Sequence, residues 1–437
     1  MKRLALLALA TLAAASAQAA PQSILFVGNS YTFGRVDPVL SYNAANVDDM
    51  TRPRPDLVPP TFTDTSGTRA WEPHPWGGVP GIFKQLADQA GVEFDVSLST
   101  RNAATLRGHF LNSANNGQTD WDLRGNIAKR KWDIVVLQEQ SDAALPAGRG
   151  ANANYPQFSA YVDKIENYIH VGAAETYTER AMYQQIYGGD EKCKAALGTT
   201  TCSNTTLRRI PANANANAAA KVYLTQTWAR PDMVFPHLST VADANYPAVP
   251  DGRPIVDTSN PAFPNGFPDT LYYQAEGLAG MTADLRAAFA AKLAANPKLA
   301  GVIPVGDAFQ RAVDDRIAKG DAFYNAEGTY AAYEPSDKIN LWWDDYLHAS
   351  RHGSYLSALV IFGTLTGISP ASFGASEKAA ADLGINPGDA VRLQRVAADQ
   401  LAVSGTPTVW IPCLRHNPDA PGQGADGPAA PRCGSGK

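Results

Sequence analysis

Ser23-Ile24-Leu25-Phe26-Val27-Gly28-Asn29-Ser30-Tyr31-Thr32 is the stretch that decides the fold. Its apolar run has the length of a strand and stops at a glycine, and the small polar residues that follow suit a sharp turn into a helix. Four more runs of strand length follow, at Glu93 to Leu98, Asp133 to Leu137, Lys221 to Leu224 and Val302 to Val305. Helical patterns lie between them: Ile82 to Ala90 ending at Gly91, Tyr155 to Ile169, and the alanine-rich Tyr272 to Ala295. Two further helices are expected, one beginning near Asp307 and one from Ser354 through Leu365 ending at Gly367. Strands alternating with helices predict an α/β fold, a three-layer α/β/α sandwich around a five-stranded parallel sheet.

The chain of 437 residues is 45% hydrophobic and 18% charged, enough for one large core with insertions. Its formal net charge of -5 supplies no basic field for nucleic acid or an anionic membrane, so neither is an expected partner. Met1-Lys2-Arg3, the apolar stretch Leu4 to Ala15 and Ser16-Ala17-Gln18-Ala19 read as the three regions of a signal peptide over residues 1–20. The apolar stretch is shorter than a membrane span, and no later segment is long and apolar enough to anchor the chain. The expected location is the periplasm or the extracellular space. Four cysteines fit an oxidising compartment, and nearest-neighbour pairing of Cys193 with Cys202 and of Cys413 with Cys433 is the simplest of three connectivities. A metal cluster would want tighter C-x-x-C spacing.

Stretches near 47–78, 188–220 and 232–268 break the alternation and read as insertions in a domain spanning 21–405. Residues 406–437, rich in proline and glycine, read as an irregular tail tethered by a disulfide.

In an open parallel sheet, ligands bind beyond the carboxyl ends of the strands, which is where Ser30 falls. A serine hydroxyl is a poor nucleophile until a base takes its proton. Of seven histidines, His348 is the strongest candidate, because Asp345 stands three residues before it in Trp342-Trp343-Asp344-Asp345-Tyr346-Leu347-His348. Residues three apart in a helical turn share a face, so the carboxylate can orient the imidazole. Taken singly, each motif also reads blandly, as a turn serine and a surface histidine.

Together, Gly28-Asn29-Ser30 and the late Asp345-x-x-His348 resemble the first and last blocks of the SGNH (GDSL-like) hydrolase superfamily, whose nucleophile commonly lies in Gly-Asp-Ser. The chain order differs from that of α/β-hydrolases, and no Gly-x-Ser-x-Gly elbow appears. The third block departs from Gly-x-Asn-Asp: Leu137-Gln138-Glu139-Gln140-Ser141-Asp142 resembles the glutamine version of sialate O-acetylesterase-like carbohydrate esterases. The resemblance implies a flavodoxin-like sheet, Ser30 as nucleophile, His348 as base and Asp345 as its orienting partner. It also implies Gln138 as an oxyanion-hole amide, with Gln140 as second choice. The second block has no glycine at an equivalent place, leaving Asn102, Ala103 or Gly108 as the further donor, with Asn102 as the working choice.

The reaction implied is hydrolysis of a carboxylic ester through an acyl-enzyme, with no cofactor and no metal. Trp71-Glu72-Pro73-His74-Pro75-Trp76 and Thr225-Gln226-Thr227-Trp228-Ala229-Arg230 would overhang the strand ends. Tryptophans stack on sugar rings, so Trp71, His74 and Trp228 are the substrate-binding candidates and an acylated carbohydrate, free or polymeric, the preferred substrate. A lipase or short-chain esterase, an O-acetyltransferase and a non-catalytic glycan-binding protein are the competing readings. A metalloenzyme using Asp345, His348 and His352 lacks the general-base glutamate of a zinc helix.

Overall fold

The computed structural model describes residues 20–35, 37–51, 75–111, 122–241, 255–329, 331 and 337–415. Six parallel strands form the main sheet: β1 (Gln22–Gly28), β2 (Asp48–Asp49), β3 (Phe94–Thr100), β4 (Ile134–Gln138), β5 (Lys221–Thr225) and β6 (Leu299–Ile303). Their spatial order is β6-β5-β4-β1-β3-β2. Without β2 this is the flavodoxin-like order, with β1 between β3 and β4 and the chain switching direction there. Ile24, Leu25, Phe26 and Val27 are buried on both faces, as helices on either side of a parallel sheet require.

The sixth strand corrects the expected five. Asp48–Asp49 pairs with Ser97 and Leu98 at the sheet edge, and two acidic residues carry no strand pattern. The last strand is also displaced from Val302–Val305 to Leu299–Ile303, because Pro304 has no N–H for the ladder and stands at the start of the next helix.

The helices that matter for the site are α1 (Ser30–Phe33), α2 (Gly78–Gln89), α3 (Leu106–Leu111), α4 (Leu123–Ala128), α5 (Tyr155–His170), α6 (Gly277–Ala295), α7 (Val305–Asp314), α8 (Arg351–Thr366) and α9 (Pro387–Val403). On one face α8 packs against α2, α7 and α9. It is apolar all round because it is enclosed, with Gly353 through Gly363 buried. Gly353 admits this closeness, since a Cβ there would lie 2.2 Å from the Leu341 carbonyl oxygen. On the other face α3 packs on α5, and Phe158 of α5 meets Phe289 of α6 at 5.1 Å.

The stretch 188–220, read as an insertion, contains helices Asp190–Leu197 and Thr199–Cys202 and the strand Leu207–Ile210, which pairs antiparallel with Glu175–Thr178. Gly198 separates the two helices with a φ of 81°, and the Cys193–Cys202 disulfide joins them. In the 232–268 stretch, Thr240–Val241 and Ile255–Val256 form a two-residue ladder. The first nineteen residues, Trp71, His74, Cys433 and the tail beyond Arg415 lie outside the described residues, as does the side chain of Cys413.

Candidate active site

β1 delivers its last residue, Gly28, to the carboxyl edge of the sheet, and Asn29 caps α1 by accepting the Tyr31 N–H at 3.0 Å. Only glycine fits at position 28, because a Cβ would come within 2.4 Å of both Gln138 Oε1 and Thr32 Oγ1. The Gly28 carbonyl accepts from the Arg101 N–H at 3.2 Å and lies 2.6 Å from His109 Nε2. Burial drives the His109 pKa down to about 4, so the ring is neutral and Nε2 carries the proton it donates to that carbonyl. Asn29 Nδ2 donates to the Ala104 carbonyl at 3.1 Å. The serine-bearing turn is thus fastened to the loop after β3.

Asp345 and His348 lie in a tight turn just ahead of α8, not in the helical turn expected from their spacing. Tyr346 adopts a left-handed φ of 51°. Asp345 Oδ1 accepts the N–H groups of Leu347 and His348 at 3.0 and 2.8 Å, and Oδ2 meets His348 Nδ1 at 2.5 Å. Burial pushes the Asp345 carboxyl up, but the charge and hydrogen bonds of His348 and the two backbone donors outweigh it and hold the group below the usual carboxylate range. With Nδ1–H committed to Asp345, Nε2 is left to accept, and Ser30 Oγ stands 2.7 Å from it. Ser30, Asp345 and His348 are 5%, 7% and 5% exposed.

Trp228 is not a surface platform. It is 2% exposed, stacked between Tyr31 at 3.9 Å and Phe309 at 4.8 Å. Its indole N–H donates to the Leu347 carbonyl at 3.1 Å, so it ties the Asp345–His348 turn to α1. Arg230, in the same segment, donates from Nε to Asp232 at 3.0 Å and from Nη1 to Ser141 at 3.0 Å, bracing its loop.

Gln138, at the end of β4, lies directly beneath the serine turn. Its Oε1 accepts from the Asn29 N–H and from Thr32 Oγ1, both at 2.9 Å. One hydrogen of Nε2 goes to the Glu139 carbonyl, leaving a second without a partner among the described residues. The Gln140 amide instead serves its own loop, donating to Ser141 Oγ and accepting from the Asp142 N–H. Gly108 is unavailable as a donor, because its N–H is held by Thr105 Oγ1 at 3.0 Å. The N–H groups of Ser30 and Ala103 have no partner among the described residues.

Two buried groups escaped the sequence reading. His109 carries no motif. Glu139 sits inside the quoted Leu137–Asp142 segment without an assigned role; burial raises its carboxyl to about 7. Both ring nitrogens of His348 face Asp345 and Ser30, so His352 does not share a donor set with it. Among the described residues no helix is long and apolar enough to cross a membrane.

No family model matches the sequence, and no curated protein matches it. Among solved structures, a DUF4886 family protein from Bacteroides uniformis is 12% identical, with 90% of this chain and 98% of that chain covered and a TM-score of 0.42. The inhibitor-bound aryl esterase of M. smegmatis is 10% identical, with 79% and 98% covered and a TM-score of 0.32. A carbohydrate acetylesterase from Sinorhizobium meliloti is 11% identical, with 88% and 99% covered and a TM-score of 0.29. Similarity at this level leaves the chemistry to be read from the side chains.

Proposed function

We propose that the protein is a serine esterase that hydrolyses carboxylic esters, with O-acyl groups on carbohydrate as the preferred substrate class. The observation that carries this reading is the continuous relay from Asp345 Oδ2 through His348 to Ser30 Oγ. His348 Nε2 takes the hydroxyl proton as Ser30 attacks the ester carbonyl, and Asp345 stabilises the imidazolium. His348 then returns the proton to the leaving alcohol. Water, deprotonated by the same nitrogen, attacks the acyl-enzyme and frees Ser30.

The oxyanion is held by the Ser30 N–H, the second hydrogen of Gln138 Nε2 and an N–H from the loop after β3. In that loop the Ala103 N–H has no partner among the described residues, which makes it the donor of choice there. The intact relay counts against a non-catalytic glycan-binding protein, which has no need of it. The buried disulfide supports a location in the periplasm or outside the cell, after removal of a signal peptide.

The test is hydrolysis of 4-nitrophenyl acetate and of acetylated xylan by the mature protein beside Ser30→Ala, with folding checked by circular dichroism. Activity that collapses in the folded variant upholds the reading, and the ratio between the two substrates measures sugar preference. An inert wild type, or an active variant, overturns it.

A further inference from the structure

We propose that Glu139 is a positioning residue for the oxyanion-binding loop, holding the segment between β3 and α3 at a fixed place beside Ser30; this rests on the serine-esterase reading. Glu139 is 2% exposed and follows the last residue of β4. A single oxygen, Oε1, accepts the N–H of Leu106 at 3.0 Å and the N–H of Gln140 at 2.7 Å. Leu106 is the first residue of α3, so this bond fixes the far end of the 101–105 loop. The near end is fixed to the serine turn, by the Arg101 N–H on the Gly28 carbonyl and by Asn29 Nδ2 on the Ala104 carbonyl.

Between the two fastenings, Ala103 takes a left-handed φ of 54° and the Ala104 N–H returns to the Arg101 carbonyl. That conformation leaves the N–H groups of Ala103 and Thr105 without partners among the described residues. The Glu139 backbone completes the arrangement, since its carbonyl receives Nε2 of Gln138, whose Oε1 holds the Asn29 N–H. One dipeptide, Gln138-Glu139, therefore sets the spacing between the nucleophile turn and the loop that would meet the oxyanion. Glu139 touches no reacting atom; it acts through the loop.

The geometry dictates the variants. Both N–H groups use one oxygen, so Glu139→Gln keeps the clamp, whereas Glu139→Leu has similar bulk and no acceptor. With 4-nitrophenyl acetate, kcat of Glu139→Leu should fall about 10²-fold, the scale of a lost oxyanion donor, with KM nearly unchanged. Affinity for a trifluoromethyl ketone, whose serine adduct bears an oxyanion, should fall in parallel, and Glu139→Gln should stay within about 3-fold of wild type on both measures, a small fraction of that loss. If the leucine variant does not fold, Glu139→Met fills the site flexibly and serves in its place. A folded leucine or methionine variant with wild-type kcat, or a glutamine variant that loses as much as leucine, overturns the proposal while leaving the esterase reading intact. Absence of any Ser30-dependent activity in the wild type defeats the esterase reading itself, and the role of Glu139 with it.

Discussion

His348 Nε2 stands 2.7 Å from Ser30 Oγ across 318 residues of chain. Two short segments make that contact: the turn that ends β1 and the Asx-type turn that precedes α8. Each is held by hydrogen bonds that leave the serine oxygen and the ring nitrogen facing one another.

Removal of either partner should abolish turnover without unfolding the protein. Ser30→Ala and His348→Ala are expected to lower kcat by about 10⁴-fold or more. Asp345→Asn keeps the side-chain shape but favours the wrong imidazole tautomer, for an expected loss of about 10⁴-fold. Steady-state kinetics on 4-nitrophenyl acetate, with thermal melts alongside, check all three.

Trp228 should behave as a packing residue rather than a sugar contact. Trp228→Ala removes a ring stacked on Tyr31 and Phe309 and should cost about 3–5 kcal/mol of stability. Trp228→Phe keeps most of the stack and loses the bond to the Leu347 carbonyl, for about 1 kcal/mol. Denaturant unfolding measures both, and the ratio of xylan to 4-nitrophenyl acetate activity should not change in the phenylalanine variant.

Stability should decline with pH on the acid side of neutrality. Burial raises the carboxyls of Glu139 and Glu377 from 4.5 to about 7. Below pH 4.5 both are protonated in either state, and their contribution is fully present. Between pH 4.5 and about 7 the unfolded chain has released protons that the folded protein retains, so stability falls as pH rises through that window, then levels. Depressed carboxylates such as Asp345 act in the opposite sense at lower pH. In Glu139→Gln, which preserves the Oε1 acceptor, the decline between pH 4.5 and 7 should be shallower than in wild type, as melting temperatures across that range would show.

The Cys193–Cys202 disulfide closes a short loop, with a sequence separation of 9, and on a chain-entropy model contributes about 2–3 kcal/mol. Replacing both cysteines with serine should speed hydrogen exchange in the segment 179–210 while leaving that of β1 and β4 unchanged. Faster exchange throughout the sheet would show that the insertion is not a local unit.

The main strands were legible because a parallel sheet buried on both faces demands continuous apolar runs, and Ile24–Val27 and Ile134–Leu137 supply them. Asp48–Asp49 was not, since two acidic residues at an edge pair through backbone alone. Pro304 marked the end of the last strand, but the apolar Val302–Val305 run spans it and hides the boundary. The helices around Cys193 were masked by low-complexity neighbours and by Gly189 and Gly198. In the site, the order of Ser30, Asp345 and His348 along the chain was readable, but not how they meet. Nothing in Asp345-x-x-His348 distinguishes a helical turn from an Asx turn with Tyr346 left-handed. Nor does a tryptophan in a polar loop announce that its ring faces inward, as that of Trp228 does.

The most direct test of the central claim is covalent labelling. The mature protein should be treated with an alkyl fluorophosphonate, which phosphonylates an activated serine with loss of fluoride, and the adduct located by peptide mass spectrometry. One adduct on Ser30, formed with loss of esterase activity and absent from His348→Ala, is the expected result. Activity that survives complete labelling of Ser30, or an inactivating adduct on any other residue, would contradict the account.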